Sequence, residues 1–200
     1  MTVSVDQIKE LRALTGVGMM DCKNALLEAK GDLDKATKIL REKGLAGLKE
    51  KSSRVAKEGV VDSYVHSDGR IGVLVEVNCE TDFVARNSDF REFVHDIAMQ
   101  IAAANPAYVS REEVPEERVE SEKEIYKNQA LAEGKPENIA EKIVKGKLEK
   151  FYKEVCLLEQ PFIKDSDVTI ESYLADIACK LGENIIINRF VRLQLGETAK

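Results

Sequence analysis

Two apolar, β-branched segments joined by a short polar turn most constrain what this chain can fold into. Residues 60–66 and 71–77 are rich in valine, and Ser67-Asp68-Gly69-Arg70 separates them. An Asp-Gly pair between two such runs is typical of a β-hairpin. In the second run apolar side chains alternate, so one face of that strand is expected to be buried. The alternating residues are Ile71, Val73, Val75 and Val77.

Helical patterns precede this hairpin. Ser4 and Gln7 have the spacing of a capping box, which predicts a first helix that ends at the Thr15-Gly16-Val17-Gly18 turn. A second helix is predicted up to Gly31, and a third runs from about Asp32 to just before Gly44. We therefore predict a three-helix module over residues 1–44. The inward residues are expected to be Cys22, Ala25, Leu26, Ala29, Leu33, Ala36 and Leu40.

The segment after the module has a different composition. Residues 45–57 are rich in Lys, Gly and Ser and show little apolar periodicity, so they are predicted to form a linker. Residues 58–200 are then expected to form one core domain that contains the β-hairpin.

The rest of the core domain mixes helices with one strand. A helix is predicted from a Ser88 cap to Asn105-Pro106, with one apolar stripe that should lie on the sheet. Residues 110–155 are predicted to form two charged helices folded back at Gly134-Lys135-Pro136. The second of these helices should bury Ile139, Ile143 and Phe151. A last helix from Thr169 to Leu181 and a closing strand from Ile185 to Leu195 complete the prediction.

This order of elements predicts an α+β fold. Strands and helices do not alternate as they do in a parallel α/β sheet, so a small, mainly antiparallel sheet packed with helices is expected. The charged helical hairpin at 110–155 is open to two interpretations, a solvated helical pair or an arm used in assembly.

Composition excludes several classes of function. The chain has a net charge of -6 and a pI near 5.2, which is unfavourable for direct nucleic-acid binding because such binding depends on neutralising phosphates. Residues 1–57 carry 12 Lys and Arg against 8 Asp and Glu, a local charge of +4, whereas residues 58–200 carry 18 against 28. The basic segment is either a surface for an acidic protein or a solvated face. No apolar run of about 18 residues and no targeting pattern is present, so a cytoplasmic protein without membrane contact is expected.

Cysteine and histidine are too sparse for a metal site. Cys22, Cys79, Cys156 and Cys179 are far apart and form no CxxC pair, and the chain has only two histidines. We expect buried free thiols rather than disulfides or ligands, and we expect the chain to hold no metal or cofactor.

Gly16-Val17-Gly18-Met19-Met20 is a turn with two interpretations. No strand precedes it, and Asp21 stands where a dinucleotide fingerprint needs its third glycine, so phosphate binding is not expected. Met19 and Met20 either cap the core of the module or form an adaptable contact surface.

Thr81-Asp82-Phe83-Val84-Ala85-Arg86 places an aromatic residue among charged ones, just after the second strand. In one interpretation Thr81 caps a short helix, Asp82 interacts favourably with the helix dipole, and Phe83 and Val84 cover the sheet. In the other, Phe83 is presented to a partner. No arrangement of Ser, His, Asp or Cys typical of a nucleophilic site occurs in the sequence, so we do not expect an enzyme.

Two long motifs carry a family resemblance. The first runs from Leu11 to Leu26 and includes Thr15-Gly16-Val17-Gly18-Met19-Met20-Asp21-Cys22, and the second is Asn78-Cys79-Glu80-Thr81-Asp82-Phe83-Val84-Ala85-Arg86-Asn87. Together with Gly182-Glu183-Asn184-Ile185 and the strand after it, they resemble the elongation factor Ts family over essentially the whole chain. The resemblance implies a guanine-nucleotide exchange factor that binds elongation factor Tu and expels GDP without covalent chemistry.

The resemblance also implies roles for particular residues. Thr81, Asp82, Phe83 and Val84 match the element that intrudes near the magnesium site of elongation factor Tu. Arg12, Met19 and Met20 match positions that touch its nucleotide-binding domain. The resemblance implies a ubiquitin-associated-like fold for residues 1–44 and a core and dimerisation domain for residues 58–200, with the helical hairpin at 110–155 as a dimerisation element. Long members of the family carry two related core halves, whereas this chain has the length for only one. It therefore resembles the short form, in which a homodimer supplies the second half and gives a two-plus-two complex. Two alternatives remain open: an adaptor that binds a ubiquitin-like or other polypeptide ligand, and a small-molecule enzyme.

Overall fold

The computed structural model of the chain describes residues 3–51, 54–66 and 68–197. Its contacts divide the chain into two units, Met1–Met99 with Glu171–Lys200, and Gln100–Ile170. The helices are α1 (Val5–Thr15), α2 (Met19–Glu28), α3 (Leu33–Lys51), α4 (Asp82–Ala85), α5 (Ser88–Ala104), α6 (Glu116–Ala132), α7 (Glu137–Val155) and α8 (Ile170–Leu181). The strands are β1 (Glu58–Val65), β2 (Ile71–Cys79), β3 (Pro161–Phe162), β4 (Asp165–Thr169) and β5 (Ile186–Gln194). The fold class is α+β, as predicted.

A three-stranded antiparallel sheet of order β1-β2-β5 organises the first unit. Val60 of β1 pairs with Val77 of β2, and Leu74 of β2 pairs with Val191 of β5. The predicted hairpin is confirmed, although Ser67 of its turn lies outside the described residues. The alternation of β2 is also confirmed, because Val73, Val75 and Val77 are all buried.

Helix α5 lies against the buried face of the sheet. His95 Nδ1 on α5 is 3.7 Å from Asp62 Oδ2 on β1, and the His95 ring packs edge-on against Tyr64. The predicted apolar stripe of α5 is buried as expected. One detail of the prediction is wrong: the capping side chain is Asn87, whose Oδ1 accepts a hydrogen bond from Asp89 N at 2.7 Å, and Ser88 is already helical. The stripe consists of Phe93, Val94, Ile97, Ala98 and Ile101.

The N-terminal helices form as the sequence predicts. Ser4 and Gln7 make both bonds of a capping box, and α1 ends at Gly16, whose φ of 69° is accessible to glycine at little cost. The apolar faces of α1, α2 and α3 share one core. Its buried members include Ile8, Leu11, Cys22, Ala25, Leu26, Ala36 and Leu40.

The third helix is longer than predicted. It continues to Lys51 instead of ending before Gly44, so the first part of the predicted linker is helical, while residues 52–53 lie outside the described residues. Gly44 does not end the helix: it lies inside α3 beside α8, where a Cβ atom would lie 3.6 Å from the Ala175 carbonyl oxygen, an ordinary contact distance. The division of the chain into domains at 1–44, 45–57 and 58–200 stays a prediction.

The second unit is built around the predicted antiparallel helical hairpin. Lys127 of α6 pairs with Glu137 of α7 near the connection, and at the other end Arg118 lies over the Phe151 ring at 5.7 Å. Phe151 is buried and Ile143 half-buried, but Ile139 is 44% exposed, so its predicted inward position is wrong. The next residue, Ala140, is buried instead.

A small β3–β4 hairpin in the second unit was not predicted, since β3 has only two residues and shows no periodicity. The buried side chain of Gln100 holds it. Gln100 Nε2 donates to the Pro161 carbonyl at 3.2 Å, and Gln100 Oε1 accepts from Ile163 N at 2.9 Å.

Candidate functional site

The Thr81–Arg86 motif folds into the short helix α4, directly after the central strand β2. Thr81 is its N-cap, and Thr81 Oγ1 accepts a hydrogen bond from Val84 N at 3.4 Å. A threonine at this position satisfies a backbone donor that a helix start leaves unpaired. The buried Cys79 thiol donates to the Thr81 carbonyl at 3.2 Å, which ties the cap to the end of β2.

Phe83 projects from this helix into solvent. It is 82% exposed, the largest value among the large apolar residues that the structure describes, whereas Ala85 is buried and Val84 half-buried. The interpretation in which Phe83 covers the sheet is therefore wrong, although Thr81 does cap a helix as that interpretation expected. Exposing a phenylalanine forgoes roughly 1.5–3 kcal/mol of burial free energy, so the fold itself gains little from this side chain.

Asp82 lies in the first turn of α4, where its charge interacts favourably with the helix dipole. Its Oδ2 is 3.0 Å from Arg86 Nη2, one turn later; the Arg86 side chain is largely exposed and the Asp82 side chain about half exposed. The motif thus presents a phenylalanine beside an accessible carboxylate.

Glu183 fixes the base of α4 from a distant part of the chain. Its Oε2 accepts from Glu80 N at 3.0 Å and from Thr81 N at 3.1 Å, and its Oε1 accepts from Thr81 Oγ1 at 2.6 Å. In return, Glu80 Oε1 accepts from Asn184 N at 2.6 Å. Hydrogen bonds to a carboxylate are stronger than neutral ones, so the two loops hold each other in place.

Sequence reasoning did not assign a role to Glu183. The residue follows Gly182, which caps α8 with a φ of 77°, and about a hundred residues separate it from Thr81. No local pattern in the sequence signals a contact across that separation. The tail motif Gly182-Glu183-Asn184 contributes to the family resemblance. It does not by itself indicate what Glu183 does.

The Cys79 thiol beneath this cap is held in its neutral form. Burial raises its pKa to about 11, and the nearby Glu183 carboxylate acts in the same direction. A thiol with a raised pKa is a poor nucleophile near neutral pH, so Cys79 is a structural residue here.

Arg12, Met19 and Met20 lie around the turn between α1 and α2. Arg12 is exposed in the last turn of α1, and Met20 is 65% and Met19 36% exposed at the start of α2. Val17, within the turn, is buried, and Leu14 beside it is exposed. The interpretation of the two methionines as a core cap is therefore wrong. They form an accessible surface with Arg12 and Leu14, called the methionine turn below.

The described part of the chain shows neither a metal site nor a disulfide. In the described ranges no group of three or more His, Cys, Asp or Glu side chains could hold a metal ion. All four cysteines are free, three of them buried. Among the helices that the structure describes, none is long and apolar enough to cross a membrane.

Comparison with known proteins gives a single consistent result. The family model with the description Elongation factor TS matches residues 23–197. The elongation factor Ts of Acetivibrio thermocellus is 64% identical over 195 residues, which cover 98% of this chain and 91% of the relative. That of Carboxydothermus hydrogenoformans is 61% identical, covering 98% and 90%. That of Caldanaerobacter subterraneus subsp. tengcongensis is 60% identical, covering 98% of both chains.

Both long motifs and the tail motif lie within the stretch that these relatives share with the chain, and α4 and the methionine turn are the elements those motifs build. The family match spans far more than half of the sequence. The chain belongs to the elongation factor Ts family and is a translation elongation factor.

Proposed function

We propose that the protein is a guanine-nucleotide exchange factor that binds elongation factor Tu and promotes GDP release so that GTP can bind. It performs no covalent chemistry and acts in the cytoplasm without binding nucleic acid directly. The observation that carries the proposal is the 82% exposure of Phe83 on a helix whose base is held by Glu183. An exposed aromatic residue on a fixed support is preorganised to enter a partner.

The α4 element acts on the metal site of the partner. GTPases hold GDP through backbone amides, a lysine and Mg²⁺ acting together on the phosphates, so disturbing the metal weakens the whole site. Phe83 and Asp82 intrude near that metal, while Thr81 and Val84 shape and support the intruding helix. The factor need not touch the nucleotide to release it.

Magnitudes limit what Phe83 can do alone. Burying one phenylalanine contributes roughly 1.5–3 kcal/mol, which corresponds to about one to two decades in rate at about 1.4 kcal/mol per decade. Any larger acceleration must draw on the rest of the interface.

The methionine turn supplies part of that interface. Arg12, Met19 and Met20 contact the nucleotide-binding domain of elongation factor Tu, and their exposure supports this role. Thioether side chains are flexible and polarisable, which suits an adaptable contact. Binding energy gained here can be coupled to distortion of the metal site.

Linkage sets a condition on the mechanism. If binding of the factor lowers the affinity of elongation factor Tu for GDP, then bound GDP lowers its affinity for the factor by the same ratio. The factor should therefore bind nucleotide-free elongation factor Tu most tightly, and the complex with GDP still bound should be short-lived.

A fluorescent-GDP release assay tests this proposal. Elongation factor Tu is loaded with labelled GDP and mixed with unlabelled nucleotide, with and without this protein. Exchange activity predicts faster release at substoichiometric amounts of the factor. The adaptor and enzyme alternatives both predict a release rate that does not change.

A homodimer is the second part of the proposal, and the outer face of the sheet supports it. Six apolar residues on or next to that face of β1, β2 and β5 are 54–69% exposed, alongside the polar Ser63 and the charged Glu76 and Arg189. An apolar sheet face normally packs against another layer. The exposed residues are Val61, Val65, Leu74, Val191, Leu193 and Leu195.

A second copy of the chain is a suitable occupant. Two such faces related by a two-fold axis make a self-complementary sheet-on-sheet contact. At one end of the face, Glu76 and Arg189 form an ion pair at 2.7 Å within each chain, so these two charges are already paired before a second copy binds. A dimer would carry two copies of α4 and of the methionine turn, consistent with a two-plus-two complex.

A further inference from the structure

Lys180, in the last turn of α8, contacts two other elements of the first unit. Its aliphatic chain lies against the turn between α1 and α2: a Cβ atom at Gly16 would be 2.9 Å from Lys180 Cε and 3.0 Å from Cδ. Its ammonium Nζ is 2.8 Å from Asp89 Oδ2, in the first turn of α5. One side chain therefore joins the α1–α2 turn to the start of α5.

These two contact points are next to the two proposed partner-binding elements. Gly16 is three residues before Met19, and Asp89 is six residues after Phe83. The segment between Phe83 and Asp89 has little freedom, because Asn87 caps α5 and Arg91 Nε donates to the Ala85 carbonyl at 2.8 Å. A displacement of Asp89 relative to Gly16 would therefore change the placement of Phe83 relative to the methionine turn.

Among the side chains that the structure describes, α8 meets the N-terminal helices at a few further points, and one of them is Cys179, which packs against the core of α1, α2 and α3. Arg41 Nε is 3.7 Å from Asp176 Oδ2, one turn before Lys180, and α3 approaches α8 at Gly44. Between these contacts lies a cavity of about 250 Å³, lined by Leu14, Val17 and Leu40 from one side and Tyr173 and Ile177 from the other. Unfilled space removes dispersion contacts, so the apolar side chains that line this cavity gain less packing energy than they would in a filled core.

We propose that Lys180 is a positioning residue for nucleotide exchange: with its stem against Gly16 and its ammonium on Asp89, it fixes the methionine turn relative to Phe83. The inference rests on the proposed function, because it concerns how both elements meet elongation factor Tu together.

Holding the methionine turn and Phe83 in one geometry raises the effective concentration of the second contact once the first has formed. Two contact elements held in one geometry bind a partner as a unit, whereas elements that shift against each other lose part of that advantage. Weakening the Lys180 contact should therefore lower the affinity for nucleotide-free elongation factor Tu. It should leave the release rate at saturating factor unchanged, because α4 itself is intact in the bound complex.

A double-mutant cycle tests this. Lys180→Met keeps the length of the stem and removes the charge, and Asp89→Asn removes the other partner. Each is expected to weaken binding to nucleotide-free elongation factor Tu by about two- to fivefold, the range of a partly exposed ion pair. The double variant should bind no more weakly than either single variant. The proposal would be overturned if the losses of the two single variants multiplied in the double variant. It would also be overturned if none of the variants changed the affinity.

Charge reversal gives a readout that a general loss of stability would not. Lys180→Glu places two carboxylates together and should bind more weakly than Lys180→Met. Adding Asp89→Lys to Lys180→Glu should restore part of the affinity, because the ion pair is re-formed in reverse. A double reversal that binds no better than Lys180→Glu contradicts the proposal, provided that thermal unfolding shows both variants folded.

The matched control is Lys43→Met, which removes an ion pair of 2.6 Å with Glu28 between α3 and α2. It should bind as the unaltered protein does, and a loss equal to that of Lys180→Met would mean that any lost surface ion pair weakens binding. The exchange assay separates this inference from the proposed function. If the protein accelerates GDP release while the Lys180 and Asp89 variants bind normally, only the positioning role is wrong.

Discussion

The Glu183 carboxylate accepts hydrogen bonds from both the backbone N and the hydroxyl of Thr81, at 3.1 and 2.6 Å. The hydroxyl of Thr81 in turn accepts from Val84 N and so begins helix α4. A single acidic residue at the end of α8 thereby sets the start, and the direction, of the helix that carries Phe83.

Removing this contact should slow nucleotide release more than it affects binding. Glu183→Gln removes the carboxylate charge and leaves one acceptor oxygen instead of two, so the side chain can no longer accept from both the Thr81 hydroxyl and the N–H groups of Glu80 and Thr81, at an expected stability loss of about 1–2 kcal/mol. Thr81→Ala removes the cap, whereas Thr81→Ser keeps the hydroxyl and serves as the matched control. Stopped-flow release at saturating factor should be slower for Glu183→Gln and Thr81→Ala and near normal for Thr81→Ser. Equal rates for all three would remove the positioning role of Glu183.

The sheet face makes a prediction about assembly. Leu74→Lys places a charge at the centre of the exposed apolar face, and burying an unpaired charge between two copies is strongly unfavourable. Sedimentation velocity should show a dimer for the unaltered protein and a monomer of about 22.3 kDa for Leu74→Lys.

The helical hairpin provides the control for that experiment. Ile125 on α6 is exposed to a similar extent, and Ile125→Lys should leave the dimer intact. If Ile125→Lys gives the monomer and Leu74→Lys does not, the hairpin is the dimer interface. A monomer at micromolar concentration for the unaltered protein contradicts the homodimer itself.

Gly44 should tolerate alanine but not a large side chain. A Cβ atom there meets the Ala175 carbonyl oxygen at 3.6 Å, an ordinary contact distance. Gly44→Ala should therefore raise the stability by up to about 1 kcal/mol, because alanine favours the helix interior. Gly44→Leu should force α3 away from α8 and lower the stability of the protein. Thermal unfolding of the two variants checks the close approach, and a stable Gly44→Leu protein would argue against it.

Alkaline pH should destabilise the fold through two buried thiols. Burial raises the pKa of Cys79 and of Cys156 from 9.0 to about 11. Above pH 9 the unfolded chain loses these protons while the folded chain keeps them, so stability falls as the pH rises toward 11. A Cys79→Ala/Cys156→Ala protein should lose less stability over that interval in urea titrations. Parallel losses in both proteins would show that the thiols contribute nothing.

Local patterns in the sequence were sufficient for most elements. The capping box at Ser4, the alternation along β2 and the apolar stripe of α5 each depend on neighbouring residues, and each appears in the structure. The errors arose where tertiary contacts decide. A glycine such as Gly44 often ends a helix, but here α3 continues through it and passes close to α8. The residue buried at the start of α7 is Ala140, and periodicity alone pointed to Ile139.

The candidate site shows the same limit. The alternation of buried and exposed residues along β2 ends before α4 begins. It therefore gives no indication of whether Phe83 is buried or exposed. The resemblance favoured exposure, and the geometry agrees. The contact of Glu183 with Thr81 joins residues about a hundred positions apart, so no motif of fixed spacing could encode it.

The central claim is that Phe83 drives nucleotide release, and Phe83→Ala tests it most directly. Because the side chain is 82% exposed, the variant should unfold at the same temperature as the unaltered protein. Ile163→Ala, at a 46% exposed residue of the second unit, is the control. Stopped-flow release of labelled GDP from elongation factor Tu, at saturating factor, should be slower by about one to two decades for Phe83→Ala and unchanged for Ile163→Ala. A normal release rate for a folded Phe83→Ala protein would contradict the account.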